Sequence, residues 1–376
     1  MRPDGGHPIT SARQFRRIAS AVALIGVVVQ LVLTSYYLGV AHAPKPHRLP
    51  VGLIATDAQA AELQKELNSG GSYRVTRYDS AADLVTAAKR RDVYGGLDLS
   101  GAAPHLYLAT AAGPAAATAL KTTYSAVLQQ QTAASVAKLA AAGDPVPVAT
   151  VEALTSPGAV TDVTPLPADD RNGGSLGMLV QALALGGTVA SLGLGRLIPR
   201  ARRSWRRGVG HLTTLIVYAL GSAAIVLWSM SWFGVGADAD HSTLFWAFGL
   251  VSLAITGSTA GLVALIGPAG AAAGFFYFAI GTVISGASIP PEFLPTWGRQ
   301  LGQALPTGAG TQLVRDSLYF PDAPLGHPLL VLGLYAGLGA LAILVTNILP
   351  NRSNRTAELP MPGTQPSTPG EDPTRT

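Results

Sequence analysis

Six stretches of this chain carry no Asp, Glu, Lys or Arg: residues 18–40, 176–195, 209–232, 244–266, 269–288 and 328–349. Each is long enough to cross the ~30 Å hydrocarbon core of a bilayer, which takes about 20 helical residues. In lipid, backbone polar groups must pair among themselves, so such stretches fold as helices packed on one another. Charged residues are 12% of the chain and apolar ones 48%, against roughly 25% charged in soluble domains. The expected class is an α-helical integral membrane protein. With no cysteine, disulfides, thiolate nucleophiles and cysteine metal sites are excluded, and an outward-facing domain of a bacterium fits this usage.

Arginine placement sets direction, because loops rich in Lys and Arg stay in the cytoplasm. Arg13, Arg16 and Arg17 precede the first stretch. Arg196, Arg200, Arg202, Arg203, Arg206 and Arg207 lie between the second and third, and Arg352 and Arg355 follow the sixth. The remaining loops are neutral or acidic. The expected topology is six crossings, one plus five, in a bacterial plasma membrane with both termini cytoplasmic: an N-terminal segment 1–17, a membrane domain 175–350 and a disordered tail 351–376. The net charge of +5 is then a topology signal, and no nucleic-acid partner is expected. Ala41-His42-Ala43 has the look of a signal-peptide cleavage site. The apolar run before it is longer than an h-region and Pro44 blocks cleavage, so it reads as an uncleaved anchor.

Residues 41–174 hold all five lysines and nearly balanced charge. Strand patterns at 49–56, 73–78, 94–99 and 106–110 alternate with helical ones, giving a small extracytoplasmic α/β domain with partly parallel pairing. Asp57 is placed to cap a helix through Leu67, and Ser80 with Asp83 has capping-box spacing. A long alanine-rich helix is expected over 114–142. The segment 145–170, rich in Pro, Thr and Asp, reads as a stiff linker to the membrane.

Between the fifth and sixth stretches, residues 289–326 break at Pro290-Pro291 and then space Phe293, Trp297, Leu301 and Leu305 four apart. One apolar stripe along a short helix follows, with Arg299, Gln300 and Gln303 off it. Pro306 and Gly308 should stop that helix, and a second amphipathic piece runs through Leu313, Val314 and Leu318. Two such pieces between two spans predict an extracellular hairpin lying in, or dipping into, the outer leaflet.

The layout resembles that of ABC-2-type transporter permeases and the related phage-infection-protein-like membrane proteins. The early part, Val51-Gly52-Leu53-Ile54, Asp57, Tyr73-Arg74-Val75, Ser80-Ala81-Ala82-Asp83 and Tyr94-Gly95-Gly96-Leu97, is similar to the start of the family's outer domain. Leu294-Pro295-Thr296-Trp297, Leu305-Pro306-Thr307 and Leu313-Val314-Arg315 are similar to its hairpin before the last span. The hairpin departs from the family in being rich in glycine, at Gly298, Gly302, Gly308 and Gly310. The resemblance, over residues 10–350, implies an exporter subunit that pairs with itself or another permease and is driven by a separate ABC ATPase. It also implies a coupling loop over 196–210, with Arg200, Arg202, Arg203, Trp205, Arg206 and Arg207 facing that ATPase. The hairpin residues Phe293, Leu294, Pro295, Trp297, Leu301, Leu305, Pro306 and Arg315 would form an extracellular gate. A non-transporting scaffold or surface receptor of the phage-infection-protein-like kind is the alternative.

Other chemistry finds little support. No lysine follows a glycine, so the chain has no P-loop and ATP hydrolysis must lie on a partner. The spans are without acidic or basic side chains, Gln30, Gln181 and Asn347 being their polar exceptions, which favours an amphipathic or apolar substrate over a coupled ion. Gly173-Gly174-Ser175-Leu176-Gly177 matches G-x-S-x-G, but no strand precedes it, and Asn172 and Ser175 read as a helix start. The seven histidines are scattered, and neither a metal nor a cofactor is expected. Gly257/Gly261, Gly270/Gly274 and Gly333/Gly337 have the spacing that lets helices approach closely in lipid.

Overall fold

The computed structural model describes residues 12–101, 104–142, 158–197 and 204–348. It is mostly helical, with one five-stranded sheet inserted after the first helix. The segments 1–11 and 349–376, with the expected tail, lie outside the described residues. Among those residues, five helical runs are long and apolar enough to cross a membrane: Arg16–Ala41, Gly174–Leu194, Trp205–Trp232, His241–Gly281 and Gly326–Ile348. They belong to helices α1 (Ala12–Ala41), α5 (Gly174–Leu197), α6 (Trp205–Trp232), α7 (His241–Ile266) with the run beyond it, and α11 (Gly326–Ile348). The fold is thus that of a helical membrane protein.

The fourth run covers two of the expected stretches and is not straight. Gly267, at φ 81°, turns the chain back at Ile266, and Pro268 starts a 3-10 turn. The return leg packs against α7, with the Ser258 and Tyr277 hydroxyls 3.2 Å apart. A continuous helix over 269–288 does not form. Helix α8 (Ala272–Phe276) passes into a π-helical stretch, Tyr277–Gly281, and ordered helix ends there. Widening a helix this way leaves carbonyls without their usual partners. Two tyrosines of α1 meet that need: Tyr36 donates to the Ile280 carbonyl at 2.9 Å and Tyr37 to the Ala279 carbonyl at 3.0 Å. Otherwise α1 is exposed along nearly its whole length.

Helix α7 is the centre of the bundle, packed by α5, α6, α10 (Pro306–Tyr319) and α11. Its crossing with α11 is glycine on glycine, and a methyl on Gly339 would overlap the Gly257 backbone. Gly270 closes onto Leu262 at the turn and Gly274 onto Thr188 of α5, while Gly333 and Gly337 face open space. Close packing therefore uses Gly257/Gly261 and Gly270/Gly274.

The sheet runs β2-β1-β3-β4-β5. Strand β1 (Leu49–Ile54) lies parallel to both β2 (Tyr73–Arg77) and β3 (Gly95–Asp98), and β4 (His105–Leu108) is antiparallel to β3. As an interior strand, paired on both sides, β1 is buried on both faces, which explains its uninterrupted apolar run. Helix α3 (Ala81–Lys89) covers one face through Leu84, Ala87 and Ala88. Helices α2 (Asp57–Ser69) and α4 (Pro114–Ala142) cover the other through Ala60, Ala116, Leu120 and Tyr124.

Ser80 and Asp83 form the expected cap: the Ser80 Oγ accepts from the Asp83 amide at 3.2 Å and donates to its carboxylate at 2.6 Å. Asp57 does not cap α2. The N-cap position is Thr56, and Asp57, in the first turn, pairs with Arg77 at 2.5 Å. The proposed linker also holds structure, because β5 (Ala159–Asp162) adds to the sheet parallel to β4. It is a four-residue edge strand with three residues exposed, so no alternation marks it in the sequence.

Candidate functional site

The segment after the π-helical stretch is non-helical from Thr282 to Pro290 and carries carbonyls that need partners in an apolar setting. Helices α9 (Thr296–Ala304) and α10 fold over it and supply them. Arg315 of α10 donates through Nη2 to the Gly286 carbonyl at 2.7 Å and the Ala287 carbonyl at 3.0 Å. Gln303 of α9 donates to the Ser285 carbonyl at 3.3 Å. The hairpin's glycines make this approach possible. A side chain on Gly302 would overlap the Ile284 carbonyl, and one on Gly308 the Gly302 carbonyl.

Proline placement also differs from the expected stop signal. Leu305, extended because a proline follows it, is at once the C-cap of α9 and the N-cap of α10. Pro306 then opens α10 at a first-turn position that needs no N–H.

The stripe read from sequence is divided. Phe293, Leu294 and Leu305 are buried, while Trp297 and Leu301 are 51% and 38% exposed. The buried face of α9 is instead Gly298 and Gly302. Trp297 stands 6.2 Å from the Tyr36 ring of α1. Pro295 precedes the first residue of α9. Helix α10 is covered nearly all round, between α7, α11 and the sheet domain. It is not a surface piece, and its two adjacent charges, Arg315 and Asp316, are 4% and 1% exposed.

These charges face the sheet domain across a joint. Phe293 and Phe320 belong to the sheet domain's apolar core. Arg91, at the end of α3, forms an ion pair with Asp316 and lies 5.6 Å above the Phe320 ring. Tyr94 donates to Glu292 at 2.5 Å, and the His47 amide to the Glu292 carbonyl at 2.7 Å. Arg91 sits at φ 58°, in the position after a helix where glycine is usual. The Arg91 amide bonds to the Ala88 carbonyl and the Asp92 amide to the Ala87 carbonyl, closing the αL turn. A non-glycine residue there costs about 1 kcal/mol or more, so the contacts of its side chain hold it in place.

Burial and attraction compete in the electrostatics. Burial pulls Arg91 down, but the Asp316 carboxylate, with Tyr94 and Glu292 behind it, more than offsets this and leaves Arg91 raised. Burial and the neighbouring Arg91 lower Arg315 to about 10. Burial lifts Asp316 above the ordinary carboxylate range despite Arg91. Burial raises Tyr94 too, helped by Glu292. Attraction therefore wins at Arg91 and desolvation at Asp316, so the two partners nearly offset each other, as is common for buried pairs. The pair fixes geometry more than it adds stability. A cavity of about 260 Å³ opens beside it, between Arg90, Arg91 and Tyr94 on one side and Glu292, Arg299 and Asp316 on the other.

Of the residues assigned to the coupling loop, Arg200, Arg202 and Arg203 lie outside the described residues. Trp205, Arg206 and Arg207 form the exposed first turn of α6, where Ser204 accepts from the Arg207 amide at 3.4 Å. At the start of α5 the cap is Asp170, which accepts from the Gly174 amide at 2.8 Å, and not Asn172 or Ser175.

Two features escape a search for charge in the spans. Arg315 and Asp316 lie outside the charge-free stretches, in the hairpin, and are nonetheless buried. His211, which is ionisable but is passed over by a count of Asp, Glu, Lys and Arg, is buried in α6 with Nε2 unpartnered among the described residues. Among those residues no group of three or more His, Asp or Glu is placed to hold a metal. Comparison with family models, curated proteins and solved structures finds no match.

Proposed function

We propose that this chain is the membrane-spanning subunit of an ABC-2-type exporter, moving an amphipathic or apolar substrate outward with a separate ATPase. In this reading it crosses a bacterial plasma membrane six times, as a dimer with itself or a related permease, with both termini inside and the sheet domain outside. The return leg from Gly267 is the fifth crossing. It is shorter than the ~20 residues of a regular span, and the hairpin covers its non-helical end as irregular backbone at that depth requires. The observation that carries the reading is α10, a buried amphipathic helix touching the bundle on one side and the sheet domain on the other. Through Arg91 and Asp316, a shift of α7 or α11 reaches the sheet domain as a rigid displacement.

The test is affinity capture of the tagged chain from its native membrane, followed by assay of ATP hydrolysis. The exporter reading predicts a co-purifying nucleotide-hydrolysing subunit that is lost on reversing Arg200, Arg202 and Arg203 to Glu. Capture with no ATPase, and activity indifferent to charge reversal, would favour a non-transporting surface receptor.

A further inference from the structure

A second cavity, of about 530 Å³, lies away from the joint, where the start of α5 and the end of α6 meet. Small-molecule sites typically enclose about 300–1,000 Å³, with apolar walls and a few placed polar groups; this cleft has that volume and is open on one side, where Met178 and Phe233 are 73% and 72% exposed. Its walls are Met178 and Leu179 of α5, Met230, Phe233 and Val235 at the end of α6, and Tyr319 of α10. Its rim is acidic, formed by Asp169 and Asp170. The two acids are not equivalent. Asp170 is committed to capping α5, accepting from the Gly174 and Ser175 amides. Asp169 has no hydrogen-bond or ion-pair partner among the described residues and is exposed. The base beside them, Arg171, is exposed and turns its Nε to the Ala168 carbonyl at 3.2 Å.

We propose that this cleft binds an amphipathic cation, its apolar body against Met178, Met230 and Phe233 and its charge at Asp169. An apolar slot with an unpaired carboxylate at its mouth favours a positive head group over a negative one of the same size. The site gives the proposed exporter a substrate class and rests on that reading only for the direction of travel. Binding needs no ATPase, so the two fail separately.

The experiment uses the full chain in phosphatidylcholine nanodiscs without any ATPase. The probes are tetraphenylphosphonium and tetraphenylborate, matched in shape and opposite in charge. Saturable binding of the cation, above that of empty nanodiscs and competed by dodecyltrimethylammonium, is expected. D169N should weaken it about three- to five-fold, the loss of one surface ion pair. Ala182, which also lines the cleft, allows a filling variant, A182W, in which saturable binding should vanish. D169K, an exposed change that leaves the fold alone, should reverse the preference toward the anion. Equal binding of both ions to the unmodified chain, an unchanged preference in D169K, or saturable binding retained in a well-folded A182W would each overturn the site.

Discussion

Two buried seams in this molecule are made by opposite means. At the crossing of α7 and α11, Gly257 and Gly339 bring backbones into contact with no polar side chain between them. At the joint of α10 and the sheet domain, contact depends on Arg91, Asp316, Tyr94 and Glu292, all removed from water to some degree. Glycine contact in lipid is gained by dispersion and asks for shape alone. A buried ion pair asks for both partners at once, because either one alone is a stranded charge. The first seam should tolerate changes of charge nearby and fail on added volume. The second should behave in reverse.

The largest effect is expected at the joint. D316A leaves Arg91 buried without its carboxylate and should destabilise the folded chain by about 3–5 kcal/mol. In the doubly changed R91M/D316L most of that loss should be recovered, as thermal unfolding in detergent would show. If the double variant were as weak as the single one, the pair would be a net source of stability and the contrast would be broken.

Volume is the test of the other seam. G339L places side-chain atoms inside the Gly257 backbone and should cost roughly 1–3 kcal/mol or more. G333A and G337A, facing open space, should leave the isolated chain unchanged. If either weakens a dimer instead, that face is the contact between copies.

Smaller again is Y94F, which removes one hydrogen bond to a carboxylate and should cost about 1.5 kcal/mol. The smallest concerns a cap outside both seams. Asp240, held by Thr243 and Ser242, has its pKa lowered to about 2. A depressed carboxylate contributes above its ordinary value and ceases to as pH falls through the folded one. Protection from hydrogen exchange at the first turn of α7, taken against the intrinsic rate at each pH, should therefore fall as pH drops from about 4 to 2.

Much of the fold could be read from sequence because its signals are local. Charge-free stretches mark the helices, β1 shows a buried strand's apolar run, and the spacing of Ser80 and Asp83 marks a cap. The site was less legible, for three physical reasons. Arg315 and Asp316 read as solvated because composition does not show which side of a short helix meets protein. The buried face of α9 consists of glycines, which add nothing to an apolar stripe. The halt of helix at Gly281 depends on α1 tyrosines some 240 residues away, the Tyr36 contact spanning 244 positions, and no local window contains both. Strand β5 leaves no trace in the sequence because an exposed edge has no pattern to display.

The central claim is that α10 locks the sheet domain to the bundle through Arg91 and Asp316. With no native cysteine, spin labels introduced by S125C on α4 and S231C on α6 can measure that lock directly by electron–electron double resonance. The account predicts one narrow distance distribution in the otherwise unmodified chain and a broad one when D316A is added. A distribution that stayed narrow and unmoved in D316A would show that the sheet domain is held without the pair, and would contradict it.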